Sequence, residues 1–270
     1  MASLPIALTR AVSSSFAACE LTYLARSPID VRLAEAQHAE YERALAMCGW
    51  EVRRLPAGAD MPDAVFIEDT AVVLDEIAIL TRPGAPSRQT EVEAVAVALA
   101  GLRPVVRISA AGTIDGGDVL VVGRSIFIGC SSRTNLEAIE EVRRLTAPHG
   151  YRVTAVAVAG YLHLKSAVTS VSDETLLVNP HWAPAEVRAF DCIEIHPDEP
   201  HAANVVRTGQ RLLAAAAHPR TRERLESRGF AVVAVDVSEL AKAEGAVTCC
   251  SLLVRCSLEL EARSPAKSLT

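Results

Sequence analysis

One pattern recurs five times along this 270-residue chain and restricts its fold more than any other feature: a helix, a short β-branched strand, a polar cluster and an apolar hairpin. The helix candidates span 30–50, 89–102, 134–149, 183–190 and 219–228, with apolar residues at three- and four-residue spacing. Strand-like runs follow each of them, at 52–55, 105–108, 153–158, 192–195 and 231–237. Asn135 and Gly150 are suitable boundary residues for the third helix. The polar clusters at 66–69, 115–118, 163–166, 202–204 and 248–251 lie about 37 to 49 residues apart, and each leads into two apolar runs joined by a turn. A single unit of this kind cannot bury both its helix and its sheet face, so five units are expected to close into a ring of pseudo-fivefold symmetry. A conventional α/β sheet with coincidental spacing is the competing architecture. No low-complexity linker divides the chain, so residues 1–270 are expected to form one domain.

In a closed ring the clusters converge at the axis and bring together Asp63, Glu68, Asp69, Asp115, Asp118, His163 and Cys249. Each has an ordinary alternative: His163 as a satisfied core histidine, Asp118 as a turn hydrogen-bonder, and the neighbouring Cys250 as a small buried hydrophobe. Their coincidence across repeats favours chemistry. A thiol with an ordinary pKa near 8.5 needs activation at neutral pH, and a histidine with a carboxylate supplies it. Several acids around that nucleophile would repel an anion but would hold a guanidinium, whose planar donors match carboxylates. The spacing of the histidine and acids fits no zinc motif, and no metal or organic cofactor is expected.

The formal net charge of −6 argues against nucleic acid as the main partner, because phosphate binding needs a basic surface. No apolar run is long enough for a membrane helix. Phe16-Ala17-Ala18-Cys19 faintly resembles a lipoprotein processing site, but no basic residue precedes the apolar stretch at 4–8 and Arg10 interrupts it. The seven cysteines are odd in number and contain no C-x-x-C pair, which suits reduced thiols in a cytoplasmic protein. A homodimer is left open.

The strings LPAGADMPDAVFIEDTAVV, LTRPGAPSRQTEV, TIDGGDVLVVGR, SSRTN, GYLHLKS and GAVTCCSLLV closely resemble those of the dimethylarginine dimethylaminohydrolase (dimethylargininase) family, in the same order and from about Leu8 to Val254. The resemblance implies the five-bladed α/β propeller of the guanidino-modifying superfamily, which agrees with the repeat count. It implies hydrolysis of Nω-methylated arginines to citrulline and a methylamine, through a covalent thiouronium intermediate on Cys249. It assigns His163 as general acid and base, and Asp115 as the carboxylate orienting it. Asp63, Glu68 and Asp69 are implied as guanidinium-binding acids, and Arg88 and Arg133 as ligands of the substrate α-carboxylate. Backbone carbonyls of Leu21 and Ala243 are implied to hold the α-amino group, and Glu244 is counted with the substrate-binding residues. Arginine deiminases resemble this chain less: they carry an H-L-D-T string where Lys165 and Ser166 stand here, and an arginine in place of Glu68. A non-catalytic propeller, like the ribosome anti-association factor of the same architecture, would need neither the thiol nor the acids.

Overall fold

The structure is a computed structural model and describes residues 4–255. Five separate three-stranded sheets are arranged as blades. In the second blade Ala71–Val73 pairs antiparallel with Ala78–Leu80, which pairs parallel with Val105–Arg107 after a helix crosses over. The third and fifth blades repeat this with Val119–Val122, Ser125–Cys130 and Arg152–Ala157, and with Val205–Arg207, Arg211–Ala215 and Ala231–Val235. The fourth uses Val168–Ser170, Thr175–Val178 and Asp191–Glu194. The order is therefore ββαβ in the second, third and fifth units, as the repeat predicts, with a 3-10 turn in place of the helix in the fourth. A parallel pair needs a crossover long enough for a helix, whereas an antiparallel pair needs only a turn.

The first blade is assembled from both ends of the described chain. Leu252–Val254 pairs antiparallel with Ile6–Arg10, which pairs parallel with Glu51–Leu55. The sequence pattern places both apolar runs of the last hairpin within 252–260, but Leu252–Val254 pairs with the N-terminal strand, and 256–260 lie outside the described residues. Every residue of Ile6–Arg10 is buried, as befits the central strand of its sheet.

Capping sets two of the crossover helices. The Asp30 carboxylate accepts from Leu33 N (3.0 Å) at the start of Val31–Met47, and Asn135 Oδ1 accepts from Ala138 N (3.1 Å) at the start of Leu136–Thr146. Gly150 ends the latter segment with φ 77°, a left-handed conformation that glycine adopts without strain. The expected helix at 183–190 is only a 3-10 turn, Ala185–Ala189. Pro184 fixes its entry and Phe190 is already extended, which leaves too few residues to nucleate an α-helix. Among the described residues no helix is long and apolar enough to cross a membrane.

Each polar cluster sits immediately before the inner strand of its blade. Ile67–Thr70, Gly116–Asp118, Leu164–Ala167 and Thr248–Cys250 form short helical turns leading into Ala71, Val119, Val168 and Leu252, and Asn204 directly precedes Val205–Arg207. The inner strands are all sheet edges, and residues of each line a common axial cavity, among them Val72, Leu120, Ser170, Val206 and Leu253. The clusters ring one end of that axis.

The first crossover helix carries a titratable group with a consequence for stability. His38 is 2 % exposed, its Nε2 has no hydrogen-bond partner among the described residues, and burial pulls its pKa from 6.5 to about 4 despite Glu42 nearby. A buried histidine that stays neutral stabilises the fold above its unfolded pKa and loses that contribution as pH falls from about 6.5 to about 4. The loss is expected to reach about 3 kcal/mol. Denaturant titrations at pH 7.5 and 4.5 should show a smaller acid loss for His38→Gln than for the wild type; an equal loss in both would remove His38 from the account.

Candidate active site

His163 caps the Leu164–Ala167 turn and is 7 % exposed. Its Nε2 pairs with Asp115 Oδ2 at 3.1 Å, and its Nδ1 lies 4.0 Å from Asp69 Oδ1. Asp115 is held in turn, since its Oδ1 accepts from Gly84 N (2.8 Å). Asp69 accepts from Gly117 N (2.9 Å) and from Arg88 Nη1 (2.6 Å). Gly117 has no room for a side chain, because a Cβ there would stand 2.5 Å from His163 Nδ1.

Burial works to lower the His163 pKa, but Asp69, the hydrogen bond to Asp115 and Asp118 outweigh it and raise the pKa to about 9. The imidazole is therefore protonated at neutral pH. Cys249 Sγ accepts from Ala246 N (3.4 Å) and faces the same acids. Burial first, then Glu68 and Asp69, push its thiol up to about 12. At rest the site holds a thiol and an imidazolium. Burial likewise opposes ionisation of Asp69, but His163 and Arg88 hold its carboxyl below the usual range. Asp63 is displaced the other way, upward, chiefly by burial.

One cavity unites contributions from four blades: Asp63 and Asp69, Asp115, His163, and Cys249. Arg88, Arg133, Ala243 and Glu244 also line it, so most residues singled out in the sequence meet at one place. Two depart from their expected roles. Glu68 faces the axial cavity, where Lys165 Nζ (2.6 Å) and Thr248 Oγ1 (2.8 Å) take its carboxylate. A buried carboxylate is costly unless paired, and these two partners pair it away from the guanidinium position. Arg88 is buried with its donors spent on Asp69, Glu91 and the carbonyls of Asp63 and Phe66. Glu244, at φ 59°, does not present its carboxylate to the cavity: it accepts from the backbone N–H groups of Thr22 (2.9 Å), Tyr23 (2.5 Å) and Leu24 (2.6 Å). Leu21 packs against the core beneath that loop.

The same loop is tied down elsewhere. Glu20 N donates to the Asp63 carboxylate (3.2 and 3.1 Å), Ser87 Oγ donates to Glu20 Oε1 (2.7 Å), and Arg133 Nη2 donates to Thr22 Oγ1 (2.9 Å). Glu20, Phe66 and Leu162 line the cavity without a sequence signal to mark them. Asn204 did carry one, as the polar residue at the fourth hairpin start: its Oδ1 accepts from Thr248 N (3.0 Å) and its Nδ2 donates to Thr248 Oγ1 (3.0 Å), beside the nucleophile candidate. Ligand atoms of Asp69, Asp115 and His163 lie within 4.8 Å of one another, but Arg88 and the His163 proton already engage them.

The fold and site together define a five-bladed α/β propeller with a thiol, an imidazole–carboxylate pair and further acids gathered at one end of its axis. The family model for eukaryotic N,N dimethylarginine dimethylhydrolase matches residues 29–255. The N(G),N(G)-dimethylarginine dimethylaminohydrolase of Streptomyces coelicolor is 41 % identical over 251 residues, 92 % of this chain and 96 % of that protein. Its counterpart in Pseudomonas aeruginosa is 37 % identical over 226 residues, 83 % of this chain and 89 % of that one. A crystal structure of a Pseudomonas aeruginosa mutant of that enzyme, complexed with citrulline, superposes with a TM-score of 0.88 at 34 % identity, over 93 % of this chain and 99 % of the other. The chain belongs to the dimethylarginine dimethylaminohydrolase family. The N-terminal domain of the arginine dihydrolase ArgZ, 19 % identical with a TM-score of 0.82, shares the fold.

Proposed function

We propose that this protein hydrolyses Nω-methylated arginines to citrulline and methylamine or dimethylamine, with Cys249 as nucleophile, His163 as acid and base, and Asp115 orienting the histidine. The observation that carries the reading is the meeting of Cys249, the His163–Asp115 pair and Asp69 around one cavity in a member of this family. A bound guanidinium places positive charge beside Cys249 and the acids that oppose its ionisation, which favours release of the thiol proton to solvent and leaves the thiolate beside a still protonated His163. The thiolate forms a C–S bond to the guanidinium carbon, and the departing amine takes its proton from His163 as the C–N bond breaks. Water then gives a proton to the neutral His163 and its oxygen to the carbon. The C–S bond breaks, leaving citrulline and the restored thiol.

Asp69 and Asp63 are the acids placed to meet the guanidinium, and Arg133 to meet the α-carboxylate. Glu68 contributes through the Lys165–Thr248 contacts at the floor. Since four blades supply these groups, among them the one assembled from both ends of the described chain, we read residues 1–270 as one catalytic unit. A thiol nucleophile needs reducing surroundings, which suits the cytoplasm. The deciding test is an assay for citrulline formed from asymmetric dimethylarginine, monomethylarginine and arginine side by side. Arginine as the best substrate would move the chain to the deiminase reaction.

The 20–24 loop begins at the cavity lining with Glu20, and Glu244 binds three of its amides. Glu244→Ala is expected to raise KM roughly 10-fold, the equivalent of about one charge-assisted hydrogen bond, and Glu244→Gln less, because one acceptor oxygen survives. Limited proteolysis within 20–26 should quicken in parallel. An unchanged KM together with unchanged cleavage would show that Glu244 does not hold the loop.

A further inference from the structure

Asp118 has no side-chain atom in the cavity lining, yet its fully buried carboxylate reaches three parts of the site. Oδ1 accepts from Leu164 N (2.9 Å), the peptide that follows His163. Oδ2 accepts from Thr134 Oγ1 (2.7 Å), which itself accepts from Asp115 N (3.2 Å). Oδ2 also accepts from Ser131 Oγ (2.6 Å), and that hydroxyl accepts from Arg133 N (3.0 Å) and Thr134 N (3.2 Å). A carboxylate buried at this depth is costly, and turn formation alone would need one such bond rather than three.

We infer that Asp118 is the positioning residue of the site, one carboxylate that sets the His163 backbone, the Asp115 backbone and the Arg133 loop in common register. The inference rests on the proposed reading of His163, Asp115 and Arg133, and it adds that the reacting end and the binding end are fixed by a single buried group. Two hydroxyls divide the work. Thr134 leads to Asp115 and so to the histidine, whereas Ser131 leads to Arg133. The arms should therefore separate kinetically, since a group held only for binding affects KM and one held for chemistry affects kcat.

The test uses the full-length protein with asymmetric dimethylarginine. Thr134→Val is expected to lower kcat about 10-fold at nearly constant KM, and Ser131→Ala to raise KM about 10-fold at nearly constant kcat. Asp118→Asn should do both, and should retain more activity than Asp118→Ala because its oxygen still meets Leu164 N. An NMR titration of the His163 ring in the unliganded protein adds a readout independent of turnover. Asp69, Asp115, Asp118 and, across the cavity, the Cys249 thiol face that ring. Losing the Asp118 charge should move its titration down from about 9. If Asp118→Ala fails to fold, the two hydroxyl variants and Asp118→Asn still decide the matter. Loss of kcat and KM in one shared proportion across the variants, tracking their Tm, would mean that Asp118 is merely structural and would overturn the inference, as would an unmoved His163 titration. A wild-type protein that forms no citrulline refutes the proposed function instead, and the NMR arm then still reads the effect of the Asp118 charge on the ring.

Discussion

Cys249→Ala is expected to abolish citrulline formation, with kcat down at least about 10⁴-fold, the scale on which removing a covalent nucleophile acts. Cys249→Ser should fare little better, because a hydroxyl is harder still to ionise among the acids that hold the thiol at about 12. The adjacent Cys250 provides the control. It is fully buried, its Sγ donates to Ala246 O (3.5 Å), and burial also raises its pKa, so Cys250→Ser should keep most of the activity. The ionisation state gives a second check. A neutral alkylating reagent should modify Cys249 in the unliganded protein slowly at pH 7, and faster with each unit of pH through pH 10 without a plateau. Rapid modification at pH 7 would mean a resting thiolate and remove the role assigned to the substrate's charge. Substantial turnover by Cys249→Ala would end the mechanism altogether.

The five repeats made much of this legible in advance. Helices at three- and four-residue spacing, β-branched runs and hairpin turns are local signals, and their recurrence revealed the ring before any contact was known. What escaped was decided by non-local pairing. Ile6–Arg10 is too short to announce itself as the strand that completes the first blade, because its two partners lie at opposite ends of the described chain. The segment 183–190 has apolar helical spacing, but Pro184 limits it to a 3-10 turn. At the site, position in the motif located Cys249, His163, Asp115 and Asp69 at one cavity, yet it could not say which acid faces inward. Glu68 and Asp69 are adjacent in sequence and point to different cavities, because Lys165 and Thr248 claim the first and Arg88 and Gly117 the second. Asp118 stood in the sequence among the converging acids, with turn formation as its alternative, and its hydrogen bonds with Ser131, Thr134 and Leu164 appear only once three separate segments are folded together.

Asp115→Asn is expected to lower kcat on the order of 10³- to 10⁴-fold, the scale seen when the carboxylate orienting a catalytic histidine becomes an amide. The fold should tolerate the change, since Asn keeps an oxygen for Gly84 N and nearly the same volume. The nitrogen facing His163 Nε2 is then a donor, so the ring must present Nε2 as an acceptor and cannot be the imidazolium that the departing amine needs. The pH profile separates this cause from misfolding. In the wild type His163 keeps its proton up to about pH 9 because Asp69, Asp115 and Asp118 together overcome its burial, so kcat/KM should hold its acid catalyst across neutral pH and decline above about 9. With Asp115 neutralised, burial is opposed by fewer charges and the alkaline decline should begin at lower pH. A variant within about tenfold of wild type, with its alkaline limb unmoved, would mean that Asp115 neither orients nor charges the histidine.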